Sequence, residues 1–216
     1  RLQAYNHIKQ LNILKHNTRK IKSLSEQGAF NDIVGNSNHK TNYIVLDGGE
    51  LFDLKETNTK NTLYNTLKNS YSKDRKEHNK KMYARRQRNL TNQQASWLEG
   101  VFTFSEAIKH DLGNKYTIEE LSRVAHNCAK DLAKQIGSEL KYLVLHQDET
   151  TLHFHLALKN FDDSGHSIFH KIKHKDILSK IQDLGFKHFG ELGMDRGISK
   201  EITGKNYQNI NNYYKQ

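Results

Sequence analysis

Apolar residues recur at helical spacing in three segments of the chain. Leu63, Leu67 and Tyr71 lie four residues apart and predict a helix over residues 58–72. A second such pattern predicts a helix over residues 175–192. Its apolar stripe consists of Ile177, Ile181, Leu184, His188 and Leu192.

The third helical pattern has clear signals at both ends. Thr117 and Glu120 form the sequence of a capping box, and Gly137 is the residue expected just past a helix end. The stripe between them consists of Leu121, Val124, Ala125, Cys128, Leu132 and Ile136. This stripe predicts a core-facing helix and assigns Cys128 to packing instead of chemistry.

Other segments are rich in β-branched and aromatic residues and are bounded by turn residues, which is typical of strands. The strands are predicted over residues 2–8, 43–46, 97–104, 139–146 and 152–161. Turns follow at residues 47–49 and 162–165, and a polar loop is expected to carry residues 15–19. Strands interspersed with helices predict an α+β fold, in which helices pack on an antiparallel β-sheet.

The length of 216 residues suits one domain over residues 1–200, with residues 201–216 as a tail or the start of a further region. We expect a trimmed chain, because it begins with Arg1 and not Met. No apolar run is long enough for a membrane span. A single cysteine excludes an internal disulfide framework and fits a reducing cytoplasm.

The net charge of the chain indicates what kind of partner it binds. The net charge of +10 and the pI near 9.5 favour a polyanion, of which nucleic acid is the commonest. The most basic stretch is residues 72–90, where Tyr83 is available to stack on a base. The basic candidates for DNA contact there are Lys73, Arg75, Lys76, Lys80, Lys81, Arg85, Arg86 and Arg88. The alternative is a helix face that is merely solvated.

The most informative segment is the histidine-rich stretch over residues 146–155. Side chains two apart on a strand point to one face, so His153 and His155 share a side. With the turn at residues 148–151, His146 lies opposite His153, and three imidazoles converge at the centre of the sheet. Ala157 on the same face is expected to leave room for a substrate. The opposite, core-facing side carries Leu143, Leu145, Phe154, Leu156 and Leu158.

Three imidazoles with an open fourth position are typical of a catalytic metal site. The acidic neighbours Asp148 and Glu149 can complete the ligand shell or orient a ligand. Imidazole donors suit zinc, iron, nickel and manganese alike, so they do not identify the metal.

The stretch over residues 146–155 resembles the third motif of MobV-family (Mob/Pre) plasmid relaxases, HxDExTPHxH, with Leu152 in place of the usual proline. Residues 15–19 resemble the HNxR motif of that family. Asn42 and Tyr43 resemble the NY motif that follows it. The likeness extends in order and spacing over most of the chain. It implies the fold of relaxases that carry a His-hydrophobic-His metal motif.

The resemblance implies a divalent metal, Mn or Mg first, with Zn, Ni or Fe open. Its ligands are His146, His153 and His155. It implies that His16 attacks the scissile phosphate of a plasmid transfer origin and holds the DNA 5′ end covalently. Tyr43 is the alternative nucleophile. Arg19 would clamp the phosphate, and Glu149 matches an acidic residue of the motif.

The implied partner is single-stranded origin DNA, with a conjugative coupling protein and self-association through a further C-terminal region as open possibilities. Two rival functions remain at this point. One is a rolling-circle replication initiator, which carries a tyrosine nucleophile, and the other is a non-catalytic DNA-binding module with a structural metal. A zinc hydrolase of small substrates leaves the basic stretch at residues 72–90 unexplained.

Overall fold

The computed structural model describes residues 2–18, 42–55, 57–85, 87–104, 108, 111, 114–149, 152–172 and 174–196. They form a six-stranded antiparallel sheet in the order β1-β4-β6-β5-β2-β3, with helices on both faces. The elements in chain order are β1 Leu2–Ala4, α1 His7–Asn17, β2 Tyr43–Leu46, β3 Leu51–Asp53, α2 Thr57–Ala84, β4 Trp97–Thr103, α3 Ile118–Ile136, β5 Leu140–His146, β6 His153–Lys159, α4 Ile168–Ile172 and α5 Lys175–Phe189, which a 3-10 turn extends over Gly190–Leu192. The α+β fold predicted from the sequence is confirmed.

The two strands that carry the histidines lie at the centre of the sheet. β5 and β6 pair with His146 opposite His153, which is the register that the alternation of histidine and leucine predicts. β6 also pairs along its whole length with β4, and β5 pairs with β2. The hairpin is therefore held from both sides by neighbouring strands.

One face of the sheet packs against α3, α4 and α5. The leucines predicted to face the core lie here, and Cys128 from α3 is buried among them, where burial raises the pKa of its thiol to about 12. α3 has the predicted ends. The Thr117 hydroxyl accepts from the Glu120 amide, the Glu120 carboxylate accepts from the Thr117 amide, and Gly137 is left-handed at φ +70°.

The opposite face of the sheet, which carries the histidines, is also covered. Leu14 of α1 and Tyr71 of α2 pack there against Val144 and Ala157, and all four are buried. The expectation that Ala157 leaves room for a substrate is therefore wrong, because helices fill the space beside it. Alternation along a strand predicts which side chains share a face but not what covers that face.

Two predicted boundaries also differ from the structure. The first strand ends at Ala4, because the Asn6 side chain accepts from the Lys9 amide and starts α1 at His7. The predicted loop over residues 15–19 is helical up to Asn17. α2 runs on to Ala84, so most of the basic stretch is helical.

Residues 197–216 lie outside the described part, so the predicted boundary at residue 200 stays a prediction. None of the helices in the described ranges is both long enough and apolar enough to span a membrane.

Candidate metal centre

Three strand histidines form a close cluster at the end of the β5–β6 hairpin. The ring centroids of His146 and His153 are 5.2 Å apart, those of His146 and His155 are 4.9 Å apart, and those of His153 and His155 are 4.8 Å apart. His146 is fully buried, and His155 is only partly so. The strand register brings these side chains together, since opposed residues and residues two apart share a face.

A fourth histidine reaches the cluster from a different element. His16 lies in the last turn of α1, with its ring centroid 5.1 Å from that of His146 and 6.1 Å from that of His155. Its exposed fraction is 8%, so it is largely shielded from solvent. The structure thus places this histidine directly beside the three from the hairpin.

The carboxylate of Glu149 lies among these imidazoles. Its Oε1 is 3.2 Å from His16 Nε2 and 3.1 Å from His146 Nδ1, and its Oε2 is 3.5 Å from His153 Nε2. This group can both neutralise positive charge in the cluster and exchange a proton with an imidazole.

The loop that carries Glu149 is held by a residue of the NY pair. The buried Asn42 side chain accepts from the backbone amides of Gln147 at 2.8 Å and Asp148 at 3.4 Å. Asn42 stands just before β2, which pairs with β5. The contact therefore ties the hairpin loop to the adjacent strand.

The cluster fits a divalent cation. Donor atoms of His16, His146 and His155 lie within 4.8 Å of one another, as do those of His146, Glu149 and His153. Ligands about 2.0–2.2 Å from one ion are separated by distances of this order. Imidazole nitrogens with a carboxylate oxygen form a donor set that manganese and zinc both accept.

The alternative nucleophile is not part of this cluster. Tyr43 pairs with Leu145, so its side chain shares the face of Leu145 and packs against the core on the α3 side. The histidines occupy the other face of the sheet. Arg19, the predicted phosphate clamp, lies outside the described residues.

The basic residues predicted to contact DNA divide into two groups. Arg75 donates to the carbonyls of Leu90, Thr91 and Gln94, and Arg85 donates to the Ser164 carbonyl. These hydrogen bonds tie loops to α2 and to Arg85, the residue that follows it, and they engage both guanidinium groups.

The second basic group is solvent-exposed. Within it, Lys73 is 3.9 Å from Glu77, and Lys81 is 3.5 Å from Asp163. Tyr83, beside them, has an exposed fraction of 80%. Arg86 lies outside the described residues. The exposed members are Lys73, Lys76, Lys80, Lys81 and Arg88.

One set of residues near the site was missed from the sequence. Glu99 of β4 is buried, accepts from Tyr142 and Gln10, and has its pKa raised by burial to about 8. Asn17 donates to the Tyr142 hydroxyl. A charged residue inside the apolar strand at residues 97–103 was the available signal.

The same architecture is found in solved relaxase structures. The chain aligns with the MobM relaxase domain (MOBV) bound to plasmid pMV158 oriT DNA, in an Mn-bound crystal structure at pH 5.5. The TM-score is 0.64 at 16% identity, over 100% of this chain and 96% of that one. The corresponding structure at pH 6.8, with a 3′-thiophosphate on the DNA, aligns with a TM-score of 0.65. The fold is thus that of a relaxase domain.

Family membership follows from the sequence match. The plasmid recombination enzyme family, Mob_Pre, matches residues 17–215, and the chain belongs to this family of MobV relaxases. Plasmid recombination enzyme type 3 of Staphylococcus aureus is 26% identical over 122 residues, and that of Mammaliicoccus lentus is 27% identical over the same length. Each match covers 50% of this chain but only 30% of the relative.

Proposed function

We propose that this chain is a metal-dependent relaxase that nicks and rejoins single-stranded DNA at a plasmid transfer origin, with His16 as the nucleophile. The observation that carries the proposal is the meeting of four imidazoles and one carboxylate on one face of the sheet. His16 arrives there on a helix, separately from the hairpin histidines. A nucleophile beside a metal-binding set is the arrangement that phosphoryl transfer requires.

The hairpin histidines His146, His153 and His155 would hold the cation. When bound, a divalent cation polarises the phosphoryl oxygens and offsets the negative charge that develops on them. Manganese is supported by the Mn-bound MobM structures, and magnesium, zinc, nickel and iron remain alternatives.

The bond changes follow from the contact between His16 and Glu149. Glu149 Oε1, 3.2 Å from His16 Nε2, accepts the Nε2 proton of the His16 imidazolium, which leaves a neutral ring with its proton on Nδ1 and a lone pair on Nε2. Nε2 then attacks phosphorus, so that a P–N bond forms and the bond from phosphorus to O3′ breaks. The electron pair stays on O3′, which takes up the proton held by Glu149 and leaves as a 3′-hydroxyl. Attack by that hydroxyl on the P–N adduct reverses the steps and rejoins the strand.

Single-stranded origin DNA is the proposed substrate. The MobM relaxase domain is bound to 22-nucleotide oriT DNA in its structures, and this chain carries a net charge of +10. The exposed lysines of α2 project from the histidine side of the sheet and would contact backbone phosphates. The proposal places the reaction in the bacterial cytoplasm and leaves a coupling protein as a further partner.

The rolling-circle initiator is less well supported, since initiators of that class usually carry a tyrosine nucleophile. Tyr43 lies on the face of the sheet opposite to His146.

The test is a gel assay with end-labelled single-stranded origin DNA and Mn²⁺, comparing wild type with His16→Ala and Tyr43→Phe. We expect a metal-dependent nick and a protein-linked 5′ product from wild type and Tyr43→Phe, and neither from His16→Ala. Loss of the adduct only in Tyr43→Phe would refute His16 as nucleophile. If the wild-type protein binds the DNA but does not cleave it at any metal concentration, the proposal that the chain is an enzyme is refuted.

A further inference from the structure

A chain of buried hydrogen bonds connects α1 to the sheet directly beneath it. The Tyr142 hydroxyl accepts from Asn17 Nδ2 at 3.0 Å and donates to Glu99 Oε1 at 2.8 Å. The Gln10 side-chain amide donates to the same carboxyl oxygen. The exposed fractions of these four residues do not exceed 4%, so solvent does not compete for the bonds.

The two helix residues of this network lie on one side of α1. Gln10 and Asn17 are seven residues apart, which is close to two helical turns, and both point to the sheet. Asn17 is the last residue of the helix and directly follows His16. A hydrogen bond at Asn17 therefore acts on the backbone that carries the His16 imidazole.

The surroundings of the network are apolar, and this gives the hydrogen bonds a distinct role. Leu14, Ile44 and Val144 pack around it in the core on the histidine side. Apolar contact is non-directional and favours burial without selecting one rotation of the helix. Hydrogen bonds do select one, because a small rotation of α1 would leave polar groups buried without partners.

The network lies next to the histidine cluster on the same face of the sheet. Val144 lies between Tyr142 and His146 on this face of β5, because residues two apart share a face. Glu99 pairs with Ala157, two residues beyond His155. The hydrogen bond from Asn17 connects Tyr142 directly to the end of α1, which carries His16.

We propose that Tyr142 and Asn17 are positioning residues, which hold the last turn of α1 in the one rotation that keeps the His16 imidazole beside the hairpin histidines. This role rests on the proposed function only in taking His16 as the nucleophile. It assigns a purpose to the asparagine that follows the histidine in the HNxR segment.

The chain offers a matched pair of variants. Tyr142→Phe and Tyr71→Phe each remove one fully buried hydroxyl that contacts α1. The Tyr71 hydroxyl lies 3.0 Å from His7 Nδ1 in the first turn, whereas Tyr142 contacts the last turn. If the hydroxyls only fasten the helix, both variants lose stability and activity alike. If Tyr142 orients His16, only Tyr142→Phe loses nicking rate.

The activity readout is the single-turnover nicking rate, measured beside the dissociation constant for the same DNA. We expect Tyr142→Phe to lower the rate about 10- to 100-fold, the scale of a small misplacement of a reacting group. DNA affinity and the Tyr71→Phe rate should stay within about twofold of wild type. Asn17→Ala should lower the nicking rate of the wild-type protein by a similar factor. In the Tyr142→Phe variant it should cause no further loss of rate, because the two residues act through one hydrogen bond.

A second readout does not depend on nicking. The imidazole ¹H–¹⁵N signals of His16, assigned by their loss in His16→Ala, should shift or broaden in Tyr142→Phe and stay in place in Tyr71→Phe. Unchanged His16 signals in a folded Tyr142→Phe protein would overturn the positioning role. So would equal rate losses in the two Phe variants. If wild type does not nick but the signals respond as expected, the proposed function fails and the positioning role stands.

Discussion

Single residues owe their chemical behaviour here to the neighbours that burial gives them. Glu99 and Glu149 are both carboxyl groups on the histidine side of the sheet, yet one lies among tyrosine and amide groups and the other among imidazoles. The first is far from solvent, so its neutral form is favoured. The second has nitrogens of three imidazoles within 3.5 Å of its oxygens.

Glu99 makes stability depend on pH in a defined window. Burial raises its pKa from 4.5 to about 8, so between these values the folded state holds a proton that the unfolded state has lost. The free energy of unfolding therefore falls as pH rises through this window, by up to about 1.4 kcal/mol per pH unit. Glu99→Gln removes the titration. We expect the stability of the variant relative to wild type to rise steadily from pH 5 to pH 8 in urea unfolding.

Glu139→Gln is the control for this prediction. Burial acts to raise the pKa of Glu139, but hydrogen bonds from Lys159 and Lys141 outweigh it and lower the pKa. Stability from that group is present above its unfolded pKa and lost at lower pH. Between pH 5 and pH 8 the difference between Glu139→Gln and wild type should hence be constant. A constant difference for Glu99→Gln as well would contradict the prediction.

Elements differ in how much of their structure is encoded locally. α3 has a capping box, a left-handed Gly137 and a continuous apolar stripe, and its sequence predicted it from Thr117 to Gly137. The β5–β6 hairpin was equally predictable, because histidines and leucines alternate in a single consistent register. For both elements, the residues that determine the structure lie within about twenty positions of one another.

Gly137 and Gly185 provide a test of two opposite backbone effects. Gly137 has φ +70°, which an L side chain rarely adopts, whereas Gly185 lies inside α5, with open space where a Cβ would be. We expect Gly137→Ala to lower the free energy of unfolding by about 1 kcal/mol, and Gly185→Ala to raise it by about 0.5–1 kcal/mol. Thermal unfolding of both variants beside wild type measures this, and equal shifts of one sign would refute it.

Elements that depend on distant contacts were predicted less well. The cap at Asn6 is a single residue without an acidic partner, so the start of α1 looked like the end of a strand. α1 and α2 cover Ala157, which is small enough to fit beneath them. The residues next to Ala157 in the sequence give no indication of this cover. His16 was selected through a motif, but its place beside His146 depends on how a helix packs on strands 130 residues further on.

At the scale of the whole molecule, the exposed side of α2 carries a stripe of basic residues. Lys73, Lys76, Lys80 and Tyr83 follow helical spacing along the exposed side of α2, on the histidine side of the sheet. Arg75 and Arg85, in contrast, are engaged with backbone carbonyls. The exposed stripe, not the whole basic stretch, is therefore the expected contact with DNA.

The double variant Lys76→Ala/Lys80→Ala tests the stripe. Loss of two phosphate contacts should weaken binding to single-stranded DNA of any sequence and reduce the slope of log affinity against log salt by about 1.4. The control is Lys130→Ala/Lys134→Ala, which removes the same charge at the same spacing from the exposed side of α3. Titrations at several salt concentrations measure both, and equal slopes for the two double variants would reject the stripe.

The strand order has a consequence for how the site is assembled during synthesis. α1 precedes the strands it rests on, β4, β5 and β6, which are completed only at residue 159. A chain emerging from the ribosome therefore carries His16, the proposed nucleophile, on a helix without a surface to dock on until about three-quarters of these 216 residues have been made. The local β5–β6 hairpin can form as soon as it emerges, whereas the long loop closure that brings in His16 comes at a greater entropic cost. The proposed nicking site is thus completed late, in the same step that closes the fold.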